Sequence, residues 1–253
     1  ITRYLVGGEY RRYLREYKVM KEIGKMKDHV IICGFGRVGM QVASDLLYSH
    51  REFVIVEHDQ EVIDSWADQE DYVFLQGDST HDDILEKAGV QTAKAIIVCM
   101  PKDADNIYVV LAAREQSKSI LIVSRASQNT AVSKLKMAGA NNVIMPDSIG
   151  GSHMASLIAN PDVMEFLDII RVLGNRGSNI DTISYEQLPD NLKGKTVGDL
   201  ESREITGVTI IGFRNPDGTY KINPASDTQV IEGSKLFVLG SPSQITDFVN
   251  YFK

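Results

Sequence analysis

A doubly wound α/β fold is predicted by three observations along this chain. Short apolar runs alternate with helical patterns from residue 29 to about 146, a Gly34-Phe-Gly-Arg-Val-Gly39 turn joins the first run to the first helix, and the pattern changes past Pro146. Apolar runs without a polar face are strands buried on both sides, as in a parallel sheet covered by helices. The expected architecture is a Rossmann-like parallel sheet of six strands, then crossover helices, then a smaller α+β carboxyl-terminal subdomain.

Residues 8–27 read as a charged helix, with Tyr10, Tyr13, Leu14, Tyr17, Met20 and Ile23 near three- and four-residue spacing. It is expected to lead into the domain rather than join its core. Residues 1–29 carry eight basic and four acidic side chains, a net of +4, whereas the remainder is acidic by 11. This segment is either a solvated amphipathic arm or a linker hung beneath a membrane segment, because Lys and Arg concentrate on the cytoplasmic flanks of membrane helices.

Strands are expected near 30–33, 53–56, 73–76, 94–99, 120–123 and 142–145. Helices are expected near 38–49, 60–68, 80–88, 103–117 and 129–138. Past Pro146, SIGGSHMASLIA and NPDVMEFLDIIRVL read as two helices broken at Asn160-Pro161. After a glycine and polar stretch at 174–178, strands follow near 180–187, 207–213, 219–222 and 235–239. Asp217-Gly218 is a hairpin signal, and SPSQITDFVNYF a serine-capped helix. The expected division is 1–28 arm, 29–146 dinucleotide-binding lobe, 147–173 crossover helices, and 174–253 α+β subdomain.

Composition narrows the function classes. With 43% apolar residues the chain builds real cores, and its net charge of −7 argues against generic nucleic-acid binding. Apolar stretches such as Ala95 to Met100 are far short of a membrane span, and the first 30 residues hold no signal-peptide apolar region, so the chain as given is expected to be soluble. Cys33 and Cys99 each end an apolar strand and read as buried, reduced thiols of a cytosolic protein.

The glycine turn suits a pyrophosphate. Gly34 makes the tight turn, Gly36 admits backbone close to the ligand, and Gly39 lets helix pack on strand, while the helix start offers free N–H groups and a positive dipole end. Glu57 ends the second strand 23 residues after Gly34. A carboxylate there accepts hydrogen bonds from the ribose hydroxyls and disfavours a 2′-phosphate, which points to NAD over NADP. Asp59 reads as a helix cap. Asp78 either meets the adenine or caps the next helix with Ser79 and Thr80. Met100, Asp105 and Asn106 lie at the same sheet edge past the fourth strand, and Arg125 past the fifth suits an anion, a partner chain or a surface ion pair. The five histidines form no set with a nucleophile, so an oxidoreductase reading lacks its proton-transfer group.

The stretches HVIICGFGRVG, IVEHD, GDST, DILEKAGVQTAKAIIV and KLKMAGANNVIMP, with GVTIIGFRNPDGTYKINPASDTQVIEGSKLFVLGSPSQI further on, resemble the RCK (regulator of potassium conductance, or KTN) domains of prokaryotic potassium channels and transporters. The resemblance covers about 29–251. It implies a ligand-sensing gating module rather than an enzyme, working on the cytoplasmic side of the plasma (inner) membrane. The partners implied are the transmembrane pore domain and further copies of the chain, paired as dimers and assembled into an octameric ring. The nucleotide-binding set implied is Gly34, Phe35, Gly36, Arg37, Val38 and Gly39 in the turn, Glu57 and His58, Asp78 and Ser79, Met100, Asp105 and Asn106, and Arg125. The ligand implied is NAD or NADH, with ADP or ATP as alternatives. Acidic residues that bind Ca in some family channels are replaced here by Cys99, Val123 and Arg125. A divalent cation such as Ca would have to use Glu57, Asp59, Asp78, Asp103 or Asp105 instead. The basic arm resembles the linker from a pore helix and favours a channel over a peripheral transporter subunit.

Overall fold

The computed structural model describes residues 8–66, 69, 71–174, 180–200 and 207–251. They form two compact units that divide between Ser152 and His153. In the first, helix α1 (Gly8–Ile23) precedes β1 (Val30–Cys33), α2 (Arg37–Tyr48), β2 (Phe53–Glu57), α3 (Gln60–Ser65), β3 (Val73–Gln76) and α4 (Asp82–Lys87). Then come β4 (Ala95–Val98), α5 (Asp103–Gln116), β5 (Leu121–Arg125), α6 (Asn129–Ala138), β6 (Asn142–Ile144) and the start of α7 (Pro146–Ala159). The six strands are parallel, in the order β3-β2-β1-β4-β5-β6.

Successive side chains of a strand point to opposite faces, and both faces here are covered. Ile32, Phe53 and Ile55 pack with Ala43, Val42 and Leu46 of α2 and with Val62 of α3. Ile31, Val54, Val56, Ile96 and Val98 face Leu85 of α4, Val109 and Ala113 of α5, and Leu135 of α6. This is why β2 is buried along its whole length and its sequence shows no polar alternation. Helix α6 stops at Gly139, whose φ of +111° closes the last turn onto the Leu135 and Lys136 carbonyls.

The first helix departs from the sequence reading. It ends at Ile23 rather than continuing to residue 27, and Ile23 is buried in the first unit's core with Val19 and Met26 packed beside it. The cause lies in β3, which edges the sheet and is followed by a helix of only six residues. Apolar surface near β3 is left for α1 to cover, and α1 contacts β3. The expected end of the helix after β2, at 67–68, falls outside the described residues.

The second unit takes the rest of α7, α8 (Pro161–Gly174), β7 (Ile180–Ser184), the short α9 (Val197–Leu200), β8 (Thr209–Arg214), β9 (Tyr220–Ile222), β10 (Lys235–Leu239) and α10 (Pro242–Tyr251). The break between α7 and α8 is at Asn160-Pro161. Its strands pair antiparallel in the order β7-β10-β8-β9 around Phe213, Leu236, Val238 and Phe248. The β8–β9 hairpin turns at Asp217-Gly218: Gly218 has φ +88°, and Asp217 accepts hydrogen bonds from the Thr219 N–H and hydroxyl. Ser241 and Gln244 cap α10 reciprocally. Most of the expected loop at 174–178 lies outside the described residues.

Candidate functional site

The strand order reverses between β1 and β4. From β1 the chain crosses to β2, and from β4 it crosses to β5 on the other side, so the loops after β1 and β4 diverge. A cavity of about 1090 Å³ opens there, at the carboxyl ends of the strands. The first turn contributes Gly34, Phe35, Gly36, Arg37 and Val38; β2 and β3 deliver Glu57, His58, Asp78 and Ser79. Met100, Asp105 and Arg125 complete the sequence-derived set around it. Gly39 and Asn106 are not on its surface.

The three glycines differ physically. Gly34 has φ +93°, which an L side chain adopts only with strain. Gly39 is buried, and a Cβ there would run into the Gly34 carbonyl oxygen, so it serves packing of α2 on the turn. Gly36 has φ −77° and ψ −168°, which any residue adopts, and a Cβ there would meet nothing within 4 Å. The protein itself therefore does not require glycine at 36. Gly36 is also the N-cap of α2, with no side chain bonded to its first turn and no acidic residue in it. That helix end keeps free N–H groups and an uncompensated positive dipole end toward the cavity.

Glu57 is buried, and its carboxylate binds the chain itself. Oε2 accepts the Phe35 N–H at 2.8 Å; Oε1 accepts the N–H groups of His58 and Asp59 at 2.8 and 2.9 Å, and lies 2.8 Å from His58 Nδ1. Glu57 thus fixes the glycine turn against the end of β2. Three backbone N–H groups satisfy part of a carboxylate's acceptor capacity, which leaves room on Oε2 for one further donor such as a hydroxyl. His58 is largely exposed at the rim. Asp59 caps α3 through the Glu61 N–H.

On the β3 side, Asp78 accepts the N–H and hydroxyl of Thr80, which hold its carboxyl below the usual carboxylate range. The buried Ser79 donates to Met100 Sδ at 3.2 Å and steadies that wall. Asn106 is fully buried behind the cavity. Its Oδ1 accepts the Met100 N–H, and its Nδ2 donates to the carbonyls of Met100 and Arg125, all at 3.1 Å. It clamps the loops after β4 and β5 together and positions their residues.

Arg125 projects from the end of β5. Its Nη2 lies 3.5 Å from Asp147 Oδ2 in the first turn of α7, and its buried Nε has no hydrogen-bond partner. Cys99, also on the cavity wall, donates to the Cys33 and Gly34 carbonyls; burial pushes its thiol up to about 12 despite the opposing Arg125 charge. Burial likewise pushes the Cys33 thiol up. Lining residues outside the sequence-derived set include Gln41, Cys99, Lys102, Pro146 and Asp147. Lys102 precedes α5 at the same sheet edge, which was a usable signal. Asp147 reaches the cavity only through the return of the chain from β6, which no local pattern shows.

Among the described residues no group of three or more His, Cys, Asp or Glu side chains is placed to hold a metal ion. Asp103, one of the carboxylates offered for a divalent cation, instead accepts the Ser127 and Gln128 N–H groups at 2.7 and 3.0 Å. No described helix is long and apolar enough to cross a membrane.

The fold and this cavity define a Rossmann-like domain of the dinucleotide-binding class with an α+β carboxyl-terminal companion. The TrkA-N domain model matches residues 30–146, and the TrkA-C domain model matches 187–253. Potassium channel protein 1 of Methanocaldococcus jannaschii is 31% identical over 99% of this chain and 74% of its own length. Probable potassium channel protein 2 of the same organism is 30% identical over 100% of this chain and 75% of its own. Among solved structures, the GsuK channel bound to NAD is 27% identical over 89% of this chain and 38% of that one, with a TM-score of 0.48. The chain belongs to the TrkA-N/TrkA-C (RCK) family of regulatory domains of potassium channels and transporters.

Proposed function

We propose that this chain is the cytoplasmic ligand-sensing module of a potassium channel, that it binds NAD or NADH in the cavity at the β1–β4 switch point, and that occupancy is coupled to pore opening. Gly36 carries the reading. The chain leaves open space where its side chain would be and has no conformational need for glycine, so the space suits a ligand that approaches the backbone. The turn and the start of α2 take the pyrophosphate, with Arg37 and Arg125 also lining the cavity. Glu57 takes a ribose hydroxyl on Oε2 while its other contacts hold the turn. ADP or ATP fits the same phosphate and ribose groups and is the next ligand.

Assembly is read from apolar side chains left exposed. Met154, Ile158, Val163 and Phe166 on α7 and α8 are each more than half exposed, as are Tyr108, Leu111 and Met137 on α5 and α6. Apolar surface of this kind marks interfaces. Two sets, one on α5 and α6 and one on α7 and α8, suit a ring built from dimers, which needs one contact within the dimer and another between dimers, as in an octamer beneath the pore. Gating then requires the nucleotide to bind one ring conformation more tightly than the other. The test is single-channel open probability of the full-length channel against NAD, NADH, ATP and calcium. The expected result is a saturable change with NAD or NADH that is lost in Gly36→Val. An open probability insensitive to every nucleotide overturns the reading.

A further inference from the structure

A second cavity, of about 740 Å³, adjoins the first and shares His58, Gly77 and Asp78 with it. Its volume is within the range of small-molecule sites. Its apolar walls come from Val19 and Met20 of α1, Ile63 of α3 and Ile84 of α4, with Asp78 at the junction. Helix α1 lies outside the matched TrkA-N segment. We infer that this cavity takes the purine ring of the bound nucleotide and that α1 forms its outer wall, so that one end of the ligand is read directly by the arm helix. The inference rests on the nucleotide reading above.

The chemistry follows from the order of groups along the ligand. With the pyrophosphate at the glycine turn and the ribose at Glu57, the base lies one step further from the turn, on the side of His58 and Asp78. A purine has flat apolar faces and a polar edge. Val19, Met20 and Ile84 suit the faces, and the Asp78 carboxylate suits an exocyclic amino group as acceptor. A ligand with phosphate and ribose but no purine fills the first cavity without reaching α1.

Hydrogen–deuterium exchange of the unaltered chain separates the two claims. NAD is expected to slow exchange at both 34–39 and 16–23, whereas nicotinamide mononucleotide, which lacks the purine, slows it at 34–39 alone. Protection by NAD at 34–39 with none at 16–23 overturns the inference and leaves the nucleotide reading standing. No protection by NAD anywhere removes both. As a second arm, Met20→Asp puts a charge in the apolar wall at a 38% exposed position that the helix tolerates, and Tyr17→Asp changes the same helix at a 61% exposed position outside the cavity. NAD affinity is expected to fall about tenfold, or ~1.4 kcal/mol, in Met20→Asp only, with nicotinamide mononucleotide unaffected. Equal NAD affinity in the two variants counts against α1 as a wall.

Discussion

Gly36 and Gly39 stand three residues apart in one turn and make opposite demands. At Gly39 a methyl group would overlap the Gly34 carbonyl, which is backbone, and crowd Cys99 Sγ. Gly39→Ala should therefore lower stability by about 3 kcal/mol or more, the upper end of the cost of overpacking because backbone must move, visible as a lower melting temperature without ligand. Gly36→Ala should leave that temperature unchanged, since nothing stands within 4 Å. Glu57 combines both kinds of role. Glu57→Ala strips Phe35, His58 and Asp59 of their acceptor and should destabilise the ligand-free chain by roughly 1–3 kcal/mol. A loss of NAD affinity beyond the loss of stability, in calorimetry well below the melting temperature, isolates its part at the ribose. The thiols give a pH signature. Cys99 has a folded value of about 12 against an ordinary 9.0. Below 9 the thiol is protonated in both states, and above it the unfolded chain releases the proton first, so stability falls as pH rises from about 9 toward 12. Cys99→Ala should flatten part of that decline in melts recorded across the window.

Among the elements, the alternation of apolar strands and helices was legible because a strand buried on both faces is a short continuous apolar run and a covering helix a stripe at three- and four-residue spacing, both written locally in the sequence. The hairpin at Asp217-Gly218, the break at Asn160-Pro161 and the serine cap of α10 were legible for the same reason, being local backbone chemistry. What was not legible depends on distant pairing. Ile23 enters the core because β3 is an edge, and Asn106 lies behind the cavity because its amide spans two loops that follow different strands. Asn106→Leu takes the side-chain partner from the Met100 N–H and carbonyl and one of two donors from the Arg125 carbonyl, which keeps the Ser124 hydroxyl, and should cost on the order of 2 kcal/mol, measured by the urea midpoint, with or without nucleotide. The Arg125–Asp147 pair joins the cavity to the first turn of α7. Asp147 competes with a phosphate for the guanidinium, and Asp147→Asn should tighten NAD binding roughly two- to fivefold, the scale of an exposed ion pair. Equal affinity would place the ligand phosphates away from Arg125.

For the whole molecule, the proposed octamer sets how much each site must do. Moving a two-state equilibrium from one extreme to the other takes a differential affinity of roughly 10⁴. Shared over an octamer, this is about threefold per site, or ~0.7 kcal/mol, which a contact as modest as the Arg125–Asp147 exchange supplies. On the proposed function the glycine turn, legible from the start as a dinucleotide fingerprint, serves sensing. The most direct measurement is calorimetric titration of the chain with NAD, beside Gly36→Val at matched melting temperature. Saturable binding to the unaltered chain at one site per copy is expected, abolished by Gly36→Val while the fold persists. No heat of binding from the unaltered chain, or equal affinity in the folded variant, would contradict it.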